Sequence, residues 1–454
     1  MALKVSVSGI RGIVGQDLFP ETVLSYVAAF LTTLGRSKGT VLIGRDSRNS
    51  GKLLEKIVEA SANALGWNCI NIGIAPTPTA LLATRRLGCH GGIVITASHN
   101  PAQWNALKLC DARGLFIKAQ QVEKISNLVT QGSNFAWKGH QDLGETIVHQ
   151  DAAPLHIREV LRFLDCERIR KNKFRVVIDP CSAAGAVVDR PLLESLGCTV
   201  YSINEDITGN FPRGAEPVPE NLSPLASQVK KRKAHVGFAQ DPDADRLSVV
   251  SDGGVPIGEE YTLILAGETY LRRKKTDIAV NLSTSMMVDD LARRHGCRVF
   301  RTKIGEINVT DLLRSKKLCF GGEGNGGVIV PEINPCRDSL VAMGLILELL
   351  SMETGRKLSH IIEDFPSYCI KKDKISHTVS DVQVLYKHLL RRAKEIYTQH
   401  SFDTQDGIKI YNNEEWLHIR ASNTEPVVRI MAESRSTHRT NQLIAEGKNL
   451  VAAS

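Results

Sequence analysis

The chain of 454 residues holds ten cysteines without a single C-x-x-C pair. Several of them lie in apolar, strand-like stretches, so they read as reduced core residues and not as a disulfide framework. Long apolar runs are missing as well. The longest helix-like one, residues 340–350, is interrupted by Glu348 and is far too short to cross a bilayer, so no membrane span and no membrane partner are expected. Lys4 is followed by no apolar segment of the kind a secretory signal needs, so the cytoplasm is the expected location. The net charge of +8 suits an anionic ligand, while the basic runs 230–233 and 272–275 read as solvated faces, with no nucleic acid expected. Hydrophobic residues make up 42%, enough for several packed cores, and the length is too great for one. Three or four domains follow.

Four loops carry the chemistry. The apolar run 91–95 reads as a buried strand, and Thr96-Ala97-Ser98-His99-Asn100-Pro101 is too small and polar to continue it, so Ser98 is presented and not packed. The run 234–239 leads into Asp241-Pro242-Asp243-Ala244-Asp245-Arg246. Read as an extended segment, it points its carboxylates at every second position to one side, so the three converge on a volume suited to a hard divalent cation. A calcium loop fails on spacing, because its sixth position is Arg246 where glycine is needed and its twelfth is Asp252 where glutamate is needed. The third loop contains a formal G-x-G-x-x-G match at Gly322, Gly324 and Gly327. A dinucleotide fingerprint must open a helix, whereas Val328-Ile329-Val330 is β-branched and Pro331 follows. Such a loop instead brings backbone close to a ligand and offers Glu323 and Asn325, a carboxylate and an amide suited to sugar hydroxyls. In the fourth loop, Arg420 and Arg429 flank Ser422, Asn423 and Thr424, a set of donors matched to a phosphate dianion.

In this order, spread over nearly the whole chain, the four motifs resemble the α-D-phosphohexomutases, a family that includes phosphoglucosamine mutase, phosphomannomutase and phosphoglucomutase. The resemblance implies that Ser98 carries a phosphoryl group and contributes to a magnesium site formed with Asp241, Asp243 and Asp245. It further implies that Glu323 and Asn325 read the sugar, and that Arg420, Ser422, Asn423, Thr424 and Arg429 hold the substrate's phosphate. Ser8-Gly9-Ile10-Arg11-Gly12 is similar to the family's opening, which brings Arg11 to the active site, and Trp104-Asn105-Ala106-Leu107-Lys108 resembles the segment that supplies a lysine. Lys108 is the first candidate for proton transfer, with Arg11 and His99 stabilising charge nearby. Glu306 stands where some relatives carry histidine, which leaves the general acid and base open.

The implied activity interconverts a hexose 6-phosphate and a hexose 1-phosphate through a phosphoserine and a hexose bisphosphate. Asn325 stands where many relatives have serine, while Gly326-Gly327 resembles the phosphoglucosamine-type and archaeal-type branches, which implies glucosamine 6-phosphate, with phosphomannomutase or phosphoglucomutase activity as the alternative. A sugar-phosphate phosphatase would not need both the sugar loop and the distant clamp, and a silent sensor would not need Ser98 and the aspartates. A homodimer stays open.

An internal repeat points to the architecture independently. The runs 41–44, 176–179 and 278–281 each read as a buried strand followed by a helix, a glycine–cysteine punctuation and a further strand. In each unit a later strand delivers one of the first three loops. Three related α/β domains with mixed sheets are therefore expected, 1–150 with the serine loop, 151–254 with the metal loop and 255–366 with the sugar loop. A C-terminal α+β domain, 367–454, bears the phosphate loop, and all four would surround a central cleft.

Overall fold

The computed structural model describes residues 3–376, 381–421 and 427–452. The chain packs as two compact units, Met1–Tyr270 with Gly326–Ile361, and Leu271–Asn325 with Ile362–Ser454.

The first unit opens with a seven-stranded mixed sheet, in the order Lys4–Ser6, Gly9–Ile13, Trp104–Asp111, Gly91–Ile95, Gly39–Arg45, Trp67–Ile74, Thr146–Val148. Its middle strands alternate between two cores. Val41, Ile43, Ile93 and Ile95 pack with helices Pro20–Thr33, Gly51–Ala64 and Ala119–Thr130, while Leu42 and Val94 meet helix Thr77–Arg86 on the other face. A strand buried on both faces needs no polar alternation, which is why these segments read as continuous apolar runs. Two strands were not expected from periodicity. Thr146–Val148 joins through backbone pairing and one side-chain bond, from Asn63 Nδ2 to Thr146 Oγ1 at 3.0 Å, with Ile147 and Val148 exposed, and Gly9–Ile13 pairs antiparallel with Trp104–Asp111 and so brings Arg11 to the serine loop.

The second sheet has the order Leu247–Ser251, Val236–Gln240, Arg175–Asp179, Thr199–Ser202, antiparallel at the first pair and parallel in the rest. Residues 326–361 add the antiparallel pair Gly327–Val330 and Asn334–Arg337 and the helix Ser339–Met352. That helix is buried on all sides, which accounts for the longest apolar run as a core element. Asp338 caps it by accepting from the Leu340 and Val341 amides, and its other carboxylate oxygen meets His156 Nε2 at 2.8 Å. No helix among the described residues is long and apolar enough to cross a membrane.

In the second unit, strands Val299–Thr302, Ile278–Asn281 and Phe320–Glu323 run parallel in that spatial order. An antiparallel sheet follows in the order Cys369–Ser376, Val427–Ser434, Trp416–Ala421, Ile408–Tyr411, Ser401–Asp403, with helices Val382–Ile396 and Thr437–Ala452 on its core. Three α/β segments and a C-terminal α+β sheet therefore stand as expected. By packing, residues 255–270 and 326–361 go with the first unit and 271–325 with the second.

Buried His418 locks the second unit. Its Nε2 donates to the Asp406 carbonyl at 2.6 Å, leaving Nδ1 to accept from Ser283 Oγ at 2.9 Å. Burial, aided by the charge of Lys409, lowers its pKa from 6.5 to about 4. Because the unfolded chain binds the proton first as pH falls, this contribution is complete above pH 6.5 and is lost as pH drops through about 4. The loss should reach about 3 kcal/mol. Hydrogen exchange of the amides in Ile408–Tyr411 and Trp416–Ala421 should accelerate accordingly between these limits, and His418→Gln should flatten the dependence.

Candidate active site

Strand Gly91–Ile95 ends in the serine loop, where Ser98 adopts a left-handed backbone with φ +49°. That region is unfavourable for a residue with a Cβ and recurs at functional sites. Ser98 is buried, and its Oγ donates to Asp241 Oδ2 at 3.0 Å, with His99 Nδ1 at 3.4 Å. Arg11 reaches the same loop, donating from Nη1 to Asn100 Oδ1 at 2.6 Å. Ser98, His99, Arg11 and the aspartates are thus assembled within the first unit.

The three aspartates converge as expected, though through a different geometry. Residues 241–245 form a tight turn, closed by the Ala244 amide on the Asp241 carbonyl at 2.9 Å and left-handed at Ala244, φ +53°, so strand alternation is not what aligns them. One oxygen of each aspartate lies within 4.8 Å of the others, and all three side chains are buried. Three cations face them. Lys108 Nζ donates to Asp243 Oδ2 at 2.6 Å, Arg337 Nη2 donates to Asp245 Oδ2 at 2.6 Å, and Arg246 Nε lies 3.8 Å from Asp245 Oδ1. Thr77 Oγ1 also donates to Asp243 Oδ2, at 2.5 Å.

Burial pushes the Asp241 carboxyl well above the usual range, and the charges of Asp245 and Asp243 add to the shift. Burial acts the same way on Asp243, but the charge and hydrogen bond of Lys108, with the Thr77 hydroxyl, hold it below the usual range. The His99 imidazole is lowered, first by the charge of Arg246 and then by burial, so the ring is a neutral hydrogen-bonding group. Asp243 Oδ1 and Asp245 Oδ1 are buried and accept no hydrogen bond. Orphaned carboxylate oxygens beside a third carboxylate are a donor set for a hard cation, and a magnesium ion fits these residues.

The second unit gathers the other candidates. Glu323 Oε1 accepts from Asn281 Nδ2 at 2.8 Å and from the Gly305 amide at 3.1 Å, so this carboxylate also holds the turn before helix Glu306–Lys316. Asn325 Nδ2 lies 3.5 Å from Glu323 Oε2, and Asn325 Oδ1 is buried without a hydrogen bond. Arg420 and Arg429 are directly opposed across antiparallel strands, and Asp406 Oδ2 is 3.6 Å from Arg420. Like charges opposed in this way destabilise a sheet, so the pair is suited to an added anion. Ser422, Asn423 and Thr424 lie outside the described residues.

Thr77, Arg246 and Arg337 were not singled out as site residues from sequence. Arg246 closes the aspartate motif and was visible there, whereas Thr77 and Arg337 arrive from remote elements with no local signal.

The fold is that of solved phosphohexomutases. A crystallised phosphoglucomutase/phosphomannomutase family protein from Burkholderia thailandensis superposes with a TM-score of 0.85, covering 99% of this chain and 98% of its own, at 24% identity. Family models for phosphoglucomutase/phosphomannomutase match in sequence, alpha/beta/alpha domains I, II and III over residues 2–135, 154–254 and 258–368, and the C-terminal domain over 372–449. The chain belongs to this family and is an enzyme of the phosphohexomutase superfamily. A "Phosphoglucomutase/phosphomannomutase" of Thermococcus kodakarensis is 34% identical, over 98% of this chain and 97% of the relative. A "Probable phosphoglucosamine mutase" of Methanopyrus kandleri is 33% identical, over 98% and 96%.

If the triad binds magnesium, the metal at a hundredfold its Kd should raise the unfolding free energy by about 2.7 kcal/mol. Asp245→Asn should abolish that stabilisation. Denaturant titrations with and without the metal measure it, and equal midpoints for the wild type would exclude the site.

Proposed function

We propose that the protein interconverts a hexose 6-phosphate and a hexose 1-phosphate through a phosphoserine at Ser98 and a hexose bisphosphate. The observation that carries this reading is the Ser98 hydroxyl on Asp241 within a buried carboxylate triad, in a chain that also opposes Arg420 and Arg429 across two strands, a pair suited to an anion. A hydrolase would need the first feature alone.

Phosphate monoesters are inert in water, so transfer depends on in-line positioning and on neutralising the moving group. Magnesium, when bound at Asp241, Asp243 and Asp245 with Ser98, supplies positive charge to the phosphoryl oxygens. The clamp binds the phosphate that does not react, with Ser422, Asn423 and Thr424 as further donors, while Glu323 and Asn325 hold sugar hydroxyls. The substrate's free hydroxyl then attacks the phosphorus of phosphoserine. One P–O bond forms to the sugar, the bond to Ser98 Oγ breaks, and Lys108 carries the hydroxyl proton to the serine oxygen. Arg11 steadies charge on the loop, and neutral His99 offers a hydrogen bond. The bisphosphate turns, its other phosphate returns to Ser98, and the product leaves.

Glucosamine 6-phosphate is the preferred substrate in this reading. It rests on the resemblance of Gly326-Gly327 to the phosphoglucosamine-type branch and on the name of the Methanopyrus kandleri relative, while the name of the Thermococcus kodakarensis relative supports glucose or mannose phosphates as the second choice. Rates on the three sugar 6-phosphates, with a sugar bisphosphate as activator, distinguish them.

Active protein should carry one phosphoryl group on Ser98, visible by intact mass and peptide mapping, and Ser98→Ala should lose turnover. Normal turnover in Ser98→Ala would reject the phosphoserine. Arg420→Ala should weaken sugar-phosphate binding about ten- to a hundredfold, the equivalent of one charge-assisted hydrogen bond of about 1.5–3 kcal/mol. Arg420→Lys should recover only part of it, since a point charge lacks the planar fork. Unchanged affinity in Arg420→Ala would remove the clamp from the mechanism.

A further inference from the structure

Behind the serine loop lies an arginine that touches neither the triad nor any expected site residue's side chain. Strand Gly39–Arg45 runs on into Asp46-Ser47-Arg48, and Arg48 is buried. All five guanidinium N–H donors are engaged. Nη2 donates to the carbonyls of Ser98 at 2.6 Å and Asn100 at 2.7 Å, and Nη1 to those of Pro101 at 2.6 Å and Trp104 at 3.0 Å. Nε donates to Asp46 Oδ2 at 2.9 Å. The same Asp46 oxygen accepts from Thr96 Oγ1 at 2.7 Å, and Thr96 Oγ1 in turn accepts from the Ser98 amide at 3.0 Å. Both backbone polar groups of Ser98 are thus held by one ion pair, at the residue whose φ of +49° is unfavourable.

The ion pair is sealed from solvent. The Phe211 ring lies 4.8 Å from the guanidinium carbon, and Phe211 is itself left-handed at φ +47°. Two residues earlier, Gly209 approaches so closely that a Cβ would come within 2.3 Å of the Ser47 carbonyl oxygen. A buried ion pair is a poor device for stability, because desolvation offsets its attraction and a packed apolar pair does as well. Its geometry serves better. Only a planar fork of five donors can bind four carbonyls of one loop and a carboxylate at once, and lysine, with three donors on one nitrogen, cannot.

We propose that Arg48, locked by Asp46, is the positioning residue that sets Ser98 in its left-handed conformation and so aims its hydroxyl at the carboxylate triad. The catalytic consequence rests on the phosphoserine reading given above. The clamp itself does not, since it acts on the unmodified loop.

Arg48→Lys keeps the charge opposite Asp46 but loses the fork. Amide exchange over residues 98–104 should accelerate at least about tenfold, while strand Gly91–Ile95 stays protected. Turnover should fall about ten- to a hundredfold, as expected when a reacting group is misplaced by about 1 Å. The KM for sugar phosphate should stay within about twofold, a split that general destabilisation would not produce. Guanidinium added to Arg48→Ala should restore part of both turnover and protection. Should Arg48→Ala fail to fold, Thr96→Val carries the test, because it cuts only the link from Asp46 to the Ser98 amide and should release that amide selectively. Wild-type exchange over 98–104 in Arg48→Lys and Thr96→Val would overturn the proposal. A protein that never takes phosphate on Ser98 would reject the phosphoserine reading instead and leave the exchange result to judge the clamp.

Discussion

Three carboxylates buried with their oxygens within 4.8 Å of one another repel strongly. At that separation each pair costs about 3–4 kcal/mol at an effective dielectric of about 20. The first unit is arranged around this repulsion. Lys108 comes from strand Trp104–Asp111, Arg337 from the end of strand Asn334–Arg337, and Arg246 from the aspartate turn itself. Lys108 and Arg337 must each sit in one register of their strand, since a slip of one residue would turn the side chain to the opposite face. The cations do not saturate the site. Asp243 Oδ1 and Asp245 Oδ1 accept no hydrogen bond and keep coordinating capacity that a divalent ion can use.

The same constraint reaches the serine loop. Ser98 donates to Asp241, so its direction is useful only if the backbone behind it stays fixed. Left-handed residues cost roughly 1–3 kcal/mol each and persist where their surroundings over-determine them. At Ala244 the turn's own hydrogen bond and Ser339 Oγ on the Ala244 carbonyl provide that support. At Ser98 the support is polar and comes from Thr96, Asp46 and Arg48. Strained backbone is thus placed where orientation matters, and the hydrogen bonds around it are dense.

In the second unit charge is arranged with the opposite sign. Arg420 and Arg429 face each other across two strands, and burial lowers the guanidinium pKa of Arg420 despite the nearby Asp406 carboxylate. Glu433, by contrast, is fully employed inside the unit, accepting from the Met286 amide and the Trp416 indole. The opposed arginines are therefore suited to an anion, whereas Glu433 is satisfied within the unit.

The sequence alone determined the architecture and the loops that hold the candidate site. Buried strands such as 41–44, 176–179 and 278–281 announce themselves because both faces are covered, and the loops after them stand out because glycine, serine and aspartate cannot continue a strand. Ser98, the aspartates and the arginines were legible for that reason. Residues whose role is to hold others were not. Thr77, Arg337 and Arg48 act on groups far away along the chain, and nothing in their own neighbourhoods records the distant partner. The alignment of the aspartates was decided by a tight turn with a left-handed alanine, which residue spacing read as an extended segment. Edge strand Thr146–Val148 was likewise invisible, since backbone pairing leaves no side-chain pattern. Local sequence encodes burial and turn chemistry, which are properties of neighbours, while charge compensation and hydrogen bonding across the fold exist only once tertiary structure brings the partners together.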